Sequence, residues 1–316
     1  MATARDGTPN LLARLRLGGR GKGGPVTVTL QDITHDNTSR TLETERGVLH
    51  YHEAGDGPPL LLLHGSGPGV SGWSNYQGNL PIFAQHFRTL ILDFPGFGKS
   101  YSCDSNPMMA ALPAVLDFLD GMDLGPVPVV GNSMGGSIAA RLAAGHPERV
   151  KRLVTIGGVG SPVYSATPPE GIKLLVQFVE DPTRERLVAW MESMVYDKSI
   201  LTPEFVESRW QTASDPVALS DVRKLFNAAT LAAMRGSNGA ATVSQVEMLT
   251  RIQAPTLITF GRDDRVTPLD SSILPMRMIP NCELHVFPHC GHWAMIERKA
   301  EFESTVLAYL LRDVEH

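Results

Sequence analysis

Apolar residues follow two different periods along the chain from about residue 47 onward. Short runs that are consecutively apolar or alternate strictly lie at 48–53, 59–64, 89–93, 127–131 and 150–156. The continuous runs are typical of strands buried on both faces of a parallel sheet. Stretches of helical period separate them at 81–86, 108–121 and 134–146. This order predicts an α/β fold with a mostly parallel sheet joined by crossover helices.

The alternation stops in the middle of the chain and then resumes. Residues 161–248 contain amphipathic helical segments and no convincing strand pattern. Strand-type runs return at 255–260 and 283–287, and a closing helical stretch covers 299–311. We therefore predict one core domain formed by residues 41–160 and 249–316, with residues 161–248 inserted as a helical cap.

The first 40 residues differ in composition from the rest. Residues 1–24 carry one acid, Asp6, against the basic residues Arg5, Arg14, Arg16, Arg20 and Lys22. This segment lacks the apolar stretch of a secretory signal peptide. The composition predicts a basic and mobile N-terminal extension over residues 1–40.

Overall composition excludes several classes of protein. The 316 residues are 42% hydrophobic and 19% charged, with a net charge of −5. A weakly acidic chain gives no general reason to expect nucleic acid or an anionic membrane as a partner. No apolar run approaches the roughly 18 residues that span a bilayer. Three scattered cysteines, Cys103, Cys282 and Cys290, form no disulfide or zinc-binding pattern. These observations predict a cytoplasmic protein without a metal site.

A candidate nucleophile lies between a predicted strand and a predicted helix. The segment 131–135 reads Gly-Asn-Ser-Met-Gly, which is the G-x-S-x-G pattern of a nucleophile elbow. Its glycines are needed because the turn is sharp and crowded by neighbouring backbone. The turn would lift the Ser133 hydroxyl clear of the sheet and place it near a helix N-terminus. We predict that Ser133 is a catalytic nucleophile.

A serine hydroxyl needs a general base, and the base needs an orienting acid. In the α/β-hydrolase fold these follow in the order serine, acid, histidine. Asp264 follows the run at 255–260, and His292 precedes the last helix. The spacing G-x-x-D favours Asp264 over its neighbour Asp263. The nearest competitor of His292 is His289, and a structural role is predicted for the other histidines considered, which are His50, His52, His86, His146 and His285.

Acyl transfer also needs hydrogen-bond donors for the developing oxyanion. The backbone N–H of Met134, directly after the nucleophile, is the first candidate. The second donor should come from the small-residue loop 64–69 after the run at 59–64. Ser66 is the preferred residue there, and Gly65 is the alternative. The loop lacks the Lys-Ser/Thr ending of a phosphate-binding P-loop.

Several sequence segments, called phrases below, resemble one family of enzymes more closely. They are HGSGPGVSGWSNY (64–76), DFPGFGKS (93–100), GNSMGG (131–136), MVYDKSILTPE (194–204), SRW (208–210), GRDDRVTPLD (261–270) and CGHW (290–293). Together they resemble the meta-cleavage-product hydrolases, which are α/β-hydrolases that cleave carbon–carbon bonds in bacterial aromatic and steroid ring degradation. The resemblance extends from about residue 49 to the C-terminus. The cap phrases are the more discriminating ones, because the triad phrases fit many α/β-hydrolases.

The resemblance implies a substrate class and further site residues. The substrates would be 2-hydroxy-6-oxohexa-2,4-dienoates, which carry a carboxylate at one end. Arg209 matches the family arginine that holds this anionic end, Asn75 and Asn132 match polar pocket residues, and Trp293 matches the aromatic residue beside the catalytic histidine. Without the resemblance, Arg209 would be predicted to be a surface helix residue. No cofactor or metal is implied, and a homodimer or tetramer is expected.

Other functions use the same fold. A carboxylesterase or lipase would need the same triad and oxyanion donors, and the catalytic motifs alone do not separate it from a carbon–carbon hydrolase. Haloalkane dehalogenases and epoxide hydrolases need an aspartate at position 133, where this chain has serine. A non-catalytic receptor or scaffold is also known for the fold, and the intact triad residues disfavour it. The acyl group of the substrate is left open by the sequence.

Overall fold

The structure is a computed structural model that describes residues 33–104, 106–236 and 243–312. It also describes the backbone of two short strands, β1 (Leu15–Leu17) and β2 (Val26–Val28), which pair antiparallel. Residues 1–14, 18–25 and 29–32 of the predicted extension lie outside the described residues, so its predicted mobility stays a prediction. No described helix has both the length and the apolar character needed to cross a bilayer.

The core is a sheet of eight strands. They are β3 (Ser39–Thr44), β4 (Gly47–Ala54), β5 (Pro59–Leu63), β6 (Arg88–Leu92), β7 (Val127–Asn132), β8 (Val150–Ile156), β9 (Thr256–Gly261) and β10 (Cys282–Phe287). Their spatial order is β3-β4-β6-β5-β7-β8-β9-β10. All pairs from β6 to β10 are parallel, and β3 and β4 are antiparallel to their neighbours. The predicted mostly parallel sheet is confirmed, and β7 and β9 are buried at every position.

The fold begins before the predicted boundary at residue 40. Helix α1 (His35–Thr38) is closed by a capping box between Thr34 and Asn37, and β3 pairs with β4 from Ser39 to Thr44. Both elements lack an apolar period, because the helix has one turn and β3 is an edge strand with largely polar side chains. Assigning residues 35–40 to the extension was therefore wrong.

Helices cover both faces of the sheet. Before the cap these are α2 (Gly72–Tyr76), α3 (Leu80–Phe83), α4 (Pro107–Gly121) and α5 (Met134–Gly145). After β9 and β10 the chain adds α12 (Ile273–Met278), α13 (Ala294–Glu297) and α14 (Lys299–Leu310). Between β7 and α5, and between β10 and α13, the chain leaves the carboxyl ends of parallel strands. Ligand sites of open α/β sheets lie at this edge.

Only helical elements lie between β8 and β9 in the described part of the chain. They are α6 (Glu170–Glu180), α7 (Arg184–Met194), a short 3-10 turn (Lys198–Ile200), α8 (Pro203–Ala213), α9 (Pro216–Leu225), α10 (Ala228–Gly236) and α11 (Val243–Thr250). Helices α6 to α10 contact one another, whereas α11 packs on α5 and α12 of the core. The helical insertion expected from the sequence is thus present, and its last helix joins the core layer.

Candidate active site

Ser133 occupies a sharp turn between β7 and α5. Its backbone has φ of +51° and ψ of −111°, a conformation that non-glycine residues rarely adopt. The turn is crowded on both sides. A Cβ at Gly135 would lie 2.2 Å from the Leu63 carbonyl oxygen, and one at Gly131 would lie 2.4 Å from the Gly135 carbonyl oxygen. Only glycine fits at these positions, which explains the G-x-S-x-G pattern.

Asp264 and His292 are brought together at the same edge of the sheet. The His292 Nδ1 lies 2.7 Å from the Asp264 Oδ2, and both side chains are buried. The other carboxylate oxygen of Asp264 accepts backbone hydrogen bonds from Val266 at 2.7 Å and Thr267 at 2.9 Å. The Thr267 hydroxyl donates to Asp264 Oδ2 at 2.8 Å. Asp264 is therefore held as an acceptor that fixes the orientation of the imidazole ring.

Two glycines directly after β8 lie close to Ser133 and His292. An alanine methyl at Gly157 would lie 3.5 Å from His292 Cε1, and one at Gly158 would overlap the Ser133 carbonyl oxygen at 1.9 Å. The nucleophile and the base thus face the same two-residue loop after β8. Within the described residues, Ser133 makes no direct hydrogen bond to His292. Such catalytic hydrogen bonds are often long before substrate binds and shorten in the complex.

The competing residues lie elsewhere. Asp263 forms an ion pair with Arg262 at 3.2 Å on the loop surface. His289 packs beside the Tyr196 ring, with centroids 5.2 Å apart. Neither residue contacts the Asp264–His292 pair in the hydrogen bonds and ring contacts of the described residues. The geometry thus agrees with the choice of Asp264 and His292.

A second buried histidine–aspartate pair joins β4 to β6. His50 Nδ1 lies 2.7 Å from Asp93 Oδ2, and His50 Nε2 lies 2.7 Å from the Ser39 hydroxyl. Asp93 also accepts from the backbone N–H groups of Gly72 and Lys99. Ser39 lies on the edge strand β3 with ordinary extended backbone and no helix N-terminus behind it. This trio ties loops to the sheet, which fits the structural role predicted for His50.

The loop 64–69, which is predicted to supply an oxyanion donor and is called the oxyanion loop below, lies directly beside Ser133. Gly65 approaches Ser133 closely enough that a Cβ there would be 3.4 Å from the serine Cβ. However, the Gly65 N–H donates to Asn75 Oδ1 at 2.8 Å, which favours Ser66 over the alternative donor Gly65. No described acceptor takes the Ser66 N–H. The Met134 N–H starts α5 and has no partner within that helix. Ser66 and Met134 thus stay the candidate donors.

The two asparagines hold backbone in place. Asn75 is 3% exposed and fixes the oxyanion loop through the hydrogen bond to Gly65. Asn132 is 1% exposed, and its Nδ2 donates to the Ile156 carbonyl oxygen at 3.2 Å. Its Oδ1 lies against Gly65. Both side chains border the oxyanion loop, so a substrate contact predicted for them would come in addition to this positioning role.

Arg209 is a buried cation without a carboxylate partner. It lies on α8 of the cap, is 3% exposed and forms no ion pair within the described residues. Its Nη1 donates to the Gly69 carbonyl oxygen at 2.9 Å. Burial lowers the pKa of the guanidinium to about 10, so it stays charged at neutral pH. Burying an unpaired charge is strongly unfavourable, and the site is therefore suited to an anionic ligand.

Trp293 links Arg209 to His292, the predicted catalytic base. The guanidinium lies 5.7 Å from the centre of the Trp293 ring, within the range of a cation–π contact. Trp190 of α7 meets the same ring edge-to-face with centroids 6.1 Å apart. Because Trp293 directly follows His292, its ring connects the Asp264–His292 pair with Arg209 and Trp190 of the cap.

Two residues of this site were missed from the sequence. Thr267 supports Asp264, and Glu297 accepts from the backbone of Gly291 at 3.0 Å and of Tyr196 at 2.8 Å. Burial raises the pKa of Glu297, although these hydrogen bonds oppose the effect. The position of Thr267 three residues after Asp264 offered a signal, since hydroxyl side chains often bond to nearby acceptors. Nothing in the sequence indicated that Glu297 would reach the cap.

Comparisons with known proteins agree with this arrangement. Residues 58–299 match the alpha/beta hydrolase fold family. The 2-hydroxy-6-oxo-6-phenylhexa-2,4-dienoate hydrolase of Burkholderia cepacia is 34% identical over 89% of this chain and 99% of its own length. The 2-hydroxy-6-oxononadienedioate/2-hydroxy-6-oxononatrienedioate hydrolase 2 of Pseudomonas putida is 38% identical over 90% and 99%. The chain belongs to the meta-cleavage product hydrolases.

Solved structures of meta-cleavage product hydrolases have the same fold. The 2-hydroxy-6-oxo-6-phenylhexa-2,4-dienoate hydrolase of Rhodococcus sp. strain RHA1 superposes with a TM-score of 0.78 at 27% identity, covering 87% of this chain and 98% of its own. A mutant of the meta-cleavage product hydrolase of Pseudomonas fluorescens IP01, complexed with acetates, gives 0.77 at 28% identity over 85% and 96%. The family resemblance predicted from short phrases is confirmed.

Proposed function

We propose that this protein hydrolyses a carbon–carbon bond in 2-hydroxy-6-oxohexa-2,4-dienoates, with Ser133 as nucleophile, His292 as base and Asp264 as the orienting acid. Two relatives named above are hydrolases of 2-hydroxy-6-oxodienoates. The hydrogen bond between Asp264 and His292 and the elbow conformation of Ser133 support these roles. The protein is thus a hydrolase acting on carbon–carbon bonds of ring-cleavage products.

Arg209 is the main support for this function, because it is buried and forms no ion pair within the described residues. An esterase acting on neutral esters has no use for a desolvated guanidinium close to its oxyanion loop. A dienoate brings a carboxylate and an oxygen that becomes negatively charged, and either one would compensate the buried cation. Hydrogen bonds to charged groups contribute about 1.5–3 kcal/mol each. Arg209 therefore favours an anionic dienoate over a simple ester.

The first chemical stage is conversion of the dienol to its keto tautomer. His292 accepts the proton of the 2-hydroxyl group and returns a proton to C5, while Arg209 stabilises the negative charge on the 2-oxygen. The cost of forming the dienolate falls because the cation is already desolvated and held by Gly69. This stage gives a 2,6-diketone whose C5–C6 bond can break.

In the second stage Ser133 attacks the C6 carbonyl and gives its proton to His292. The backbone N–H groups of Met134 and Ser66 donate to the resulting oxyanion. The C5–C6 bond then breaks, its electron pair passes into the 2-hydroxydienoate, and His292 supplies the proton to that product. Water hydrolyses the acyl-enzyme to a carboxylic acid and free Ser133. The products are 2-hydroxypenta-2,4-dienoate and the acid. Direct attack of water on C6 is the alternative to this covalent step.

The experiment that tests the function follows the absorbance of 2-hydroxy-6-oxo-6-phenylhexa-2,4-dienoate. We expect the purified protein to remove the dienolate absorbance and to release benzoate. Ser133→Ala should lower kcat by at least about 10³-fold, as is typical for loss of a nucleophile, while still binding the substrate. Alkyl and steroid-derived dienoates in the same assay would map the acyl preference.

A contrary result would be equally clear. If neither the phenyl compound nor a steroid-derived analogue loses its absorbance, while p-nitrophenyl esters are hydrolysed, the protein is an esterase. A labelled phosphonate that fails to modify Ser133 would indicate a non-catalytic protein. A serine adduct trapped by mass spectrometry during dienoate turnover would support the acyl-enzyme, and its absence would favour direct attack by water.

We also propose a cytoplasmic location and a homodimer or tetramer. Among the described residues, Cys282 and Cys290 are free thiols, and Cys290 is buried, which suits a reducing compartment. Light scattering at several concentrations tests the assembly, and a monomer at all of them would contradict it. Fractionation of the producing cells tests the location.

A further inference from the structure

Trp190 carries a buried hydrogen-bond donor with no partner. Its side chain is 1% exposed, and its indole Nε1 finds no acceptor among the described residues. Leaving a buried N–H unsatisfied costs about 1–3 kcal/mol, and natural proteins contain few such groups. The ring lies on α7 of the cap. Its packing there could be provided by any large apolar side chain without an N–H group. An unpartnered donor at this position therefore indicates an acceptor that arrives with a ligand.

The six-membered ring of the Trp190 indole packs against the oxyanion loop. The atoms of Trp190 nearest to Gly67 are Cζ2 and Cη2, which would lie 2.9 and 3.0 Å from a Cβ at that glycine. In indole, Nε1 and Cζ2 are bonded to the same ring-fusion carbon, so they belong to the same edge. Gly67 has φ of +144° and no side chain, and this is what allows the close approach. The donor thus lies two bonds from a ring atom that contacts the loop at Gly67.

Trp190 and Arg209 flank the same two features. Trp190 contacts the loop at Gly67 and Arg209 contacts it at Gly69, and both meet the ring of Trp293. A buried cation without a counter-ion and a buried donor without an acceptor therefore lie beside one loop. A single anionic group bound there would satisfy both of them.

We propose that Trp190 is a specificity-determining residue whose indole N–H donates to an oxygen of the anionic head of the dienoate, either the carboxylate or the 2-oxygen. This inference rests on the proposed function, since it assigns a second donor beside Arg209 for the same substrate. The guanidinium attracts the anionic head by its charge, and the neutral indole N–H fixes the position of one oxygen through a directional hydrogen bond. It selects substrates with an oxygen at this position and leaves simple esters unaffected.

The test compares Trp190→Phe with a matched cap variant, Trp210→Phe, which removes a half-buried indole from α8. In a Ser133→Ala background, titration with 2-hydroxy-6-oxo-6-phenylhexa-2,4-dienoate gives the Kd. We expect Trp190→Phe to weaken binding about 10- to 100-fold, as for loss of a hydrogen bond to a charged group. Trp210→Phe should stay within about twofold of its parent. With Ser133 intact, the loss of kcat/KM in Trp190→Phe should be larger on the dienoate than on p-nitrophenyl acetate.

The methyl ester of the same dienoate provides a second measurement. If the indole N–H binds the carboxylate, the parent should prefer the acid over its ester, and Trp190→Phe should show a smaller preference. If the indole N–H binds the 2-oxygen, kcat of the variant on the dienoate should instead fall by a larger factor than KM rises. Equal Kd values for parent and variant would overturn the inference, as would an equal loss on dienoate and p-nitrophenyl acetate. Failure of the parent itself to bind or cleave dienoates would instead refute the proposed function.

Discussion

The backbone N–H of His292 donates to the Met194 carbonyl oxygen at 2.7 Å, so the proposed catalytic base is fastened to the last residue of a cap helix. Two further hydrogen bonds strengthen this junction, since Glu297 accepts from Gly291 and from Tyr196. The loop that carries the base and the segment that leads out of α7 therefore form one unit. A displacement of the cap would move His292 as well.

Glu297→Gln tests this junction. The amide replaces one charged carboxylate oxygen with an NH₂ group, so the Gly291 and Tyr196 N–H groups share a single neutral acceptor oxygen. We expect kcat on the dienoate to fall about 10-fold and the free energy of unfolding to fall by about 1–3 kcal/mol. Stopped-flow absorbance and urea unfolding measure the two effects. Glu301→Gln, which removes an exposed ion pair with Arg298, should change neither appreciably. An unchanged kcat in Glu297→Gln would mean that the junction does not position His292.

Asp264→Asn should remove the orientation of the base. The amide can present its NH₂ to His292 and favour the wrong tautomer, for which losses of about 10⁴-fold in kcat are known in serine hydrolases. The adjacent Asp263→Asn is the matched control, because the Asp263 side chain contacts only Arg262 in the described hydrogen bonds and ion pairs. Steady-state rates on the dienoate decide between them. A larger loss in Asp263→Asn would transfer the acid role to that residue.

Arg209→Gln separates the two reaction classes. Removing the buried cation should lower kcat/KM on the dienoate at least about 100-fold, given charge-assisted hydrogen bonds to substrate, and should leave p-nitrophenyl acetate hydrolysis within about twofold. The free energy of unfolding should fall by less than about 1 kcal/mol, because an unpaired buried charge is itself unfavourable. Arg184→Gln, on the exposed ion pair with Glu207 of the same cap, is the control. Equal losses on both substrates would contradict a role in anion binding.

Gly135→Ala and Gly145→Ala test the crowding of the elbow within one helix. A methyl group at Gly135 would lie 2.2 Å from the Leu63 carbonyl oxygen, whereas one at Gly145 would meet nothing within 4 Å. We expect Gly135→Ala to lower the free energy of unfolding by about 3 kcal/mol or more. Gly145→Ala should raise it by about 0.5–1 kcal/mol. Urea unfolding curves give both values, and similar curves for the two variants would refute the close packing of α5 on β5.

Asp270 should make stability depend on pH in the acid range. Burial by itself raises the pKa of its carboxyl, but hydrogen bonds from Ser165 and from the Tyr164 and Val163 backbone hold this pKa below its usual 3.8. The folded protein then binds this proton less readily than the unfolded chain. The stabilisation is therefore present above about pH 4 and is lost as pH falls through the folded-state pKa.

The measurement is the free energy of unfolding between pH 7 and pH 3. At pH 7, Asp270→Asn should lower it by about 1–3 kcal/mol, because three backbone N–H groups lose a carboxylate acceptor. The difference between variant and parent should shrink toward pH 3. Asp56→Asn, at an exposed turn, should follow the parent within about 0.5 kcal/mol throughout. A constant difference across the pH range would exclude the titration of Asp270 as the cause.

The sequence by itself determined the order of the elements, and it predicted the residues of the triad. Continuous apolar runs mark strands buried on both faces, so β5, β7, β8 and β9 were predicted to within one or two residues. Ser133 was identifiable because the glycines around it are dictated by local sterics. Strand β3 was not predicted, because it is an edge strand with largely polar side chains and therefore lacks an apolar pattern.

The tertiary structure alone decided which donors are free and which charges are paired. Whether Gly65 or Ser66 can serve the oxyanion depends on Asn75, which lies ten residues farther along the chain. The burial of Arg209, the unpartnered indole of Trp190 and the reach of Glu297 to Tyr196 all arise where the cap meets the core. These contacts join segments that are distant in sequence. Their energies depend on the removal of water from the buried groups, which no periodicity or motif predicts.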